Sequence, residues 1–245
     1  MDSTFRTHTL FLCRRAISVI LLNFGLFLVS ATLGASTITV NFTNLPNPLY
    51  VDRTVDTGQF QFTTVSGDTS KLSGIFYSFC IEPREFISQG QTVTYTESPL
   101  QDGTTNIGGM GAAKAALLEE LFGRYDPNVN TPLDALHASA MQIAIWEIVR
   151  ETSGTLDVYS GTTRFANPQG TLETQALALA ETYVQSLNGK GPMDTKVFAL
   201  TNDGVQDMIV QANAPEPSTY GMMGMGLMAV GWLGGRLRRR RRGAA

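Results

Sequence analysis

Apolar and polar positions alternate in short runs through the first part of the chain. Thr37–Thr43 (TITVNFT) and Gln59–Thr63 (QFQFT) keep a period of two, Leu72–Ile81 (LSGIFYSFCI) is aromatic and β-rich, and Thr92–Thr96 (TVTYT) alternates again. Asn, Pro, Gly and Asp separate these runs, with Asn44–Pro48 (NLPNP) the clearest break, so each run predicts a strand. The period then changes. Ala112–Tyr125 is rich in Ala, Leu and Glu and predicts a helix. Thr131 is a suitable N-cap, Pro132 suits the first helical position and Asp134 completes a capping-box-like start, so a second helix is expected from there to about Glu151. A third is expected over Leu172–Leu187, stopped at Gly189. Lys196–Thr201 and Val205–Gln211 return to strand character around the turn Asn202-Asp203-Gly204. Strands, inserted helices and closing strands predict an α+β domain, a β-sandwich or barrel with a helical insertion, over residues 36–213.

Both ends depart from this pattern. Arg6, Arg14 and Arg15 precede an apolar run from Ala16 to Ala31, and small residues follow, which is the layout of a signal peptide over residues 1–35. At the other end, residues 214–245 divide into Pro215-Glu216-Pro217-Ser218, an uncharged stretch Thr219–Gly235, and a basic tail over 236–245 with Arg236 and Arg238 to Arg242. As a helix the 17 uncharged residues span roughly 25 Å, near the lower limit for a bilayer. Arginines after a span mark its cytoplasmic side. The order of motif, span and arginines resembles the PEP-CTERM sorting signal of Gram-negative bacteria, with Pro215, Glu216 and Pro217 as the motif. That resemblance implies an inner-membrane intermediate, processing by an exosortase-type protease, and a final place at the cell surface or outside the cell.

Charge follows the same division. Between Ser36 and Pro215 there are 9 Lys and Arg against 19 Asp and Glu, a formal charge of −10. Phosphate contacts need clustered Lys and Arg, so a nucleic-acid partner is not expected. No metal-ligand cluster, phosphate loop or cofactor motif stands out, and Glu119, Glu120 and Glu147 are expected on solvated helix faces.

Cysteine carries the most pointed chemistry. Cys13 falls in the signal peptide, which leaves Cys80 as the single cysteine of the exported part and excludes an internal disulfide there. Two segments stand out: Tyr77-Ser78-Phe79-Cys80-Ile81-Glu82, and Met141-Gln142-Ile143-Ala144-Ile145-Trp146 inside the second predicted helix. Together they resemble the thioester domains of bacterial surface adhesins, which pair an aromatic-Cys-Ile-Asp strand motif with a Thr-Gln-x-Ala-Ile-Trp helix motif. Glu82 stands at the family's aspartate and Met141 at its threonine. The resemblance implies a bond between the Cys80 thiol and the Gln142 side-chain acyl group. It also implies shielding or positioning by Tyr77, Phe79, Glu82 and Trp146, and covalent capture of an amine-bearing surface, polymer or protein. Such a protein is a single-use reactant and not an enzyme.

Two other readings compete. Cys80 as an inert core thiol makes the domain a non-reactive matrix or binding protein. Cys80 with His137, the one histidine of the exported part, makes a Cys/His hydrolase. At about 100° per residue, Trp146 and Ala138 fall within roughly 40° of Gln142 on the helix, and His137 about 140° away.

Overall fold

The computed structural model describes residues 36–51, 55–125, 127, 130–165, 168–213 and 228. The strands are β1 (Thr37–Asn44), β2 (Leu49–Val51), β3 (Val55–Thr57), β4 (Phe60–Gly67), β5 (Ile75–Cys80), β6 (Thr92–Ser98), β7 (Val197–Thr201) and β8 (Met208–Gln211). Six of them close a barrel in the order β1-β4-β5-β8-β7-β6, and every neighbouring pair is antiparallel. Alternation decides what fills it. Ile38, Val40 and Phe42 of β1, Phe60 and Phe62 of β4, Phe76 of β5, and Val93 and Tyr95 of β6 are buried at every second position. Phe62 stacks on Phe76 at 5.6 Å and meets Tyr95 edge-on at 6.4 Å, so aromatic rings occupy the barrel centre.

Three helices enter between β6 and β7: α1 (Ala112–Tyr125), α2 (Ala135–Arg150) and α3 (Thr171–Gln185). Helix α2 packs on β5 and on the small β2–β3 sheet, and on both other helices. Twelve of its sixteen residues are buried, from Ala138 to Val149, so it is apolar nearly all round. β7 and β8 are buried at every position, which alternation alone does not produce; one face looks into the barrel and the other is covered.

The α+β reading holds, with a barrel and an inserted helical layer. Its details need correcting. The N-cap of α2 is Asp134, not Thr131: the Asp134 carboxylate accepts the His137 N–H at 2.9 Å. The Leu133 N–H is already committed to the Gln59 side chain at 2.9 Å, which holds Thr131–Leu133 outside the helix. β8 begins at Met208 rather than Val205, because Asp207 turns its carboxylate back to the Asn202 N–H at 2.8 Å and keeps that segment a loop. The β2–β3 hairpin is new; its strands are three residues each and lie beside the prolines that read as a break. Glu120 and Glu147 are fully buried instead of solvated. Glu120 pairs with Arg124 at 2.6 Å and accepts the Asn188 and Gly189 N–H groups; Glu147 accepts the Asp157 N–H at 2.9 Å. The signal-peptide reading of residues 1–35 and the sorting-tail reading of 214–245 lie outside the described residues, Met228 apart. Among the described residues no helix is long and apolar enough to cross a membrane.

Candidate functional site

Cys80 is the last residue of β5, where the ladder runs out on one side. Its register pairs Ser78 with Phe60, the first residue of β4. Two residues further on, β4 offers nothing. The Ile81 N–H points the other way and donates to the Asp207 carbonyl at 3.0 Å. The N–H and C=O of Cys80 therefore face the gap beyond β4, since successive residues of a strand direct their polar groups to opposite sides.

Gln142 of α2 fills that gap. The Cys80 N–H donates to Gln142 Oε1 at 2.9 Å, and Gln142 Nε2 donates to the Cys80 carbonyl at 2.7 Å. One carboxamide thus replaces a missing strand, and both residues are fully buried. The two segments singled out in the sequence meet at this point.

The thiol sits under Glu82 and Trp146. The Glu82 backbone N–H donates to Cys80 Sγ at 3.3 Å. Burial pushes the Cys80 thiol up to about 12; the Glu82 N–H and the Trp146 indole oppose the push, and the Glu82 and Asp207 charges add to it. The indole N–H of Trp146 is buried without a well-aligned acceptor.

Glu82 and Asp207 form a second buried feature beside the thiol. Glu82 Oε1 accepts the Asn106 N–H at 3.1 Å, while Oε2 has no partner. Asp207 accepts from the Asn202 N–H, and from the Thr105 N–H at 2.9 Å and hydroxyl at 3.2 Å. Burial, then the Asp207 charge, raises the Glu82 carboxyl to about 7; burial raises Asp207 as well. Asp207 escaped the sequence reading because nothing in a VQDMIVQ strand pattern marks an aspartate that turns towards a cysteine 127 positions earlier.

Phe79 packs edge-on against Phe122 of α1 at 6.2 Å, and Tyr77 shares its face of β5. Cys80 lies on the opposite face with Phe76 and Ser78. Trp146 and Glu82 are the pair that reach the thiol. His137 stays in the first turn of α2, where Nδ1 lies 2.8 Å from the Asp134 carboxylate, and the hydrolase reading has no hydrogen bond from His137 to Cys80 to build on. Among the described residues no group of three or more His, Cys, Asp or Glu is arranged to hold a metal ion.

Trp146 and Pro83 both line two cavities. The first, about 590 Å3, is lined by Phe42, Leu45, Phe60, Phe86 and Ile87 among others. The second, about 340 Å3, is lined by Arg84, Arg150, Arg164 and Phe165 among others.

The tail was matched independently of this geometry. Residues 213–241 match the PEP-CTERM protein-sorting motif. The PEP-CTERM match contains Pro215, Glu216 and Pro217 and makes the chain an exported substrate of exosortase, passing through a membrane-anchored intermediate in a Gram-negative bacterium. No curated protein and no solved structure matches the chain. The PEP-CTERM motif thus states where the protein is sent, and the barrel domain ahead of it has to be read from its own side chains.

Proposed function

We propose that this exported protein is a covalent adhesion or matrix-crosslinking module whose reactive group is a thioester between Cys80 and Gln142. The observation that carries the reading is the placement of the Gln142 carboxamide against Cys80 itself, 2.9 and 2.7 Å from its backbone N–H and carbonyl, in a fully buried site. Rigid elements supply both partners, which is the condition a poor electrophile such as a carboxamide requires.

The step balances without a co-reactant. The Cys80 sulfur adds to the Gln142 side-chain carbonyl carbon, the C–N bond breaks, and the thiol proton leaves with the nitrogen as ammonia. A thiol held near 12 is protonated at neutral pH, so a base is needed. Glu82, with a carboxyl near 7 and one unpaired oxygen, supplies a group that takes a proton and returns it near neutrality. An amine on a surface, polymer or protein then displaces the sulfur, forms an amide with Gln142 and regenerates the Cys80 thiol. Burial keeps water from competing. The domain is consumed once and does not turn over.

Intact mass of the purified protein tests this. The bond predicts a loss of one ammonia, about 17 Da, and no titratable thiol at Cys80 after denaturation. Both signs disappear in Cys80→Ala, and methylamine restores the thiol while adding its own mass. Full mass with one titratable Cys80 would falsify the proposal.

One observation favours a second reading. The same carboxamide completes the ladder at the end of β5, a structural task that needs no reaction. On that reading the protein is a non-reactive matrix or binding component, and methylamine neither adds nor changes its function.

A further inference from the structure

The smaller cavity beside Trp146 gathers three cations in an otherwise acidic domain. Arg84, Arg150 and Arg164 line it, three of the five arginines between Ser36 and Pro215 in a region of formal charge −10. Among the described residues none of the three joins an ion pair, whereas Arg124, Lys71 and Lys196 all do. Burial lowers the Arg150 pKa, the Arg84 charge lowers it further, and the Glu82 charge opposes both. Guanidiniums gathered at one cavity with no ion-pair partner among the described residues suit an anion.

The other walls select what carries that anion. Pro83, Trp146 and Phe165 contribute apolar faces, and the Trp146 and Phe165 rings lie within 13° of parallel at 6.4 Å. Thr162 and Thr163 add hydroxyls. Their loop is fixed in advance: Glu151, at the end of α2, accepts the Thr162 N–H at 2.8 Å and the Thr163 N–H at 3.1 Å, and Phe165 is tied to Val158 at 2.9 Å. Glu151 spends its charge on these amides and on those of Thr152 and Ser153. A bare inorganic anion would leave the aromatic walls unused, and a neutral ring would leave the guanidiniums unpaired. A volume of about 340 Å3 is at the small end for ligand pockets, which run from roughly 300 to 1,000 Å3.

We infer that this pocket binds a carboxylate-bearing sugar ring, a uronate unit of an acidic polysaccharide, with the ring against Trp146 and Phe165 and the carboxylate on the Arg84–Arg150–Arg164 guanidiniums. Export to a setting outside the cytoplasm is consistent with such a partner. The site stands whether or not Cys80 and Gln142 react.

The test titrates the full-length protein in detergent with a galacturonate trisaccharide. Calorimetry reads affinity, and fluorescence in a Trp232→Phe background makes Trp146 the single tryptophan observed. Arg84 and Arg164 are exposed, so Arg84→Gln with Arg164→Gln leaves the core untouched. The expected result is saturable binding that perturbs Trp146 emission, weakens at least about tenfold in the double variant, and is absent for the uncharged galactose trisaccharide. Four results overturn the assignment. No saturable binding, or equal binding by the double variant, removes the site. Displacement by an equal concentration of inorganic phosphate reduces it to an unselective anion site. Equal affinity for the uncharged trisaccharide removes the role of the arginines. Mass analysis for the lost ammonia is run on the same sample and reports separately on Cys80 and Gln142.

Discussion

Gln142 is asked to do two things with one carboxamide, and substitution separates them. Leucine at 142 leaves the Cys80 N–H and C=O buried with no partner, and each such group costs about 1–3 kcal/mol. Cys80→Ala keeps both backbone bonds and loses only a small, buried side chain. Gln142→Leu is therefore expected to lower the urea midpoint clearly more than Cys80→Ala does, although both abolish a thioester equally. Equal midpoints would show that the carboxamide does not complete the ladder. The meeting of Cys80 and Gln142 was legible in the sequence because two motifs pointed at one another. The backbone pairing was not, because it depends on β4 starting at Phe60 and leaving Cys80 without a neighbour, a fact of register that no local pattern carries. The cationic cavity was illegible for the same reason: Arg84, Arg150 and Arg164 are neighbours only after folding.

The helices give sharper tests of what surrounds them. Gly123 lies inside α1, where alanine normally stabilises by about 1 kcal/mol. Here a Cβ would meet the Pro192 carbonyl, backbone that cannot swing aside, because the Asp194 N–H donates to the Glu119 carbonyl at 2.9 Å and holds the segment against the helix. Gly123→Ala is expected to destabilise, reversing the propensity order, as thermal melting would show; a raised midpoint would mean that the 192–194 segment yields. Asp134→Ala removes the cap of α2 and is expected to cost about 1 kcal/mol, with His137 losing its carboxylate partner. Helix existence was legible from a 3.6-residue period, and α1 has the bounds expected of it. The polarity of the faces was not. Glu120 and Glu147 read as solvated because a helical wheel cannot see loops that return to bury them; the backbone amides that Glu120 accepts from lie 68 and 69 positions later. The start of α2 slipped for a related reason, since Gln59, from another part of the chain, claims the amide of Leu133.

Across the whole molecule, an acidic domain has been folded with several carboxylates inside, and their opposite shifts set where in pH it is most stable. Glu82 and Glu147 are raised from 4.5 to about 7, both chiefly by burial. An unfolded chain releases these protons near 4.5, the folded one near 7. Their contribution is complete below about 4.5 and is lost as pH rises towards 7. Glu151 behaves oppositely: the Ser153, Thr163 and Thr152 amides overcome its burial and lower it to about 2. Its contribution is present above about 4.5 and is lost as pH falls towards 2. The two limbs meet, so the thermal midpoint is expected to peak near about pH 4.5 to 5 and fall on both sides. Asp207 and Glu85 are raised too, so Glu82→Gln removes one of several protons that drive the upper limb; it should flatten the decline between about pH 5 and 7 while leaving the acid limb unchanged. Glu151→Gln should lower the midpoint most at the peak and above it, and flatten the acid limb. A midpoint that rises steadily to neutrality, or a Glu82→Gln curve parallel to that of the unsubstituted protein, would mean that Glu82 gives up its proton at an ordinary pH. The base assigned to Cys80 would then be ionised across the whole neutral range, and the pH dependence of ammonia loss would have to be sought in another group, Asp207 first, since it faces the same thiol.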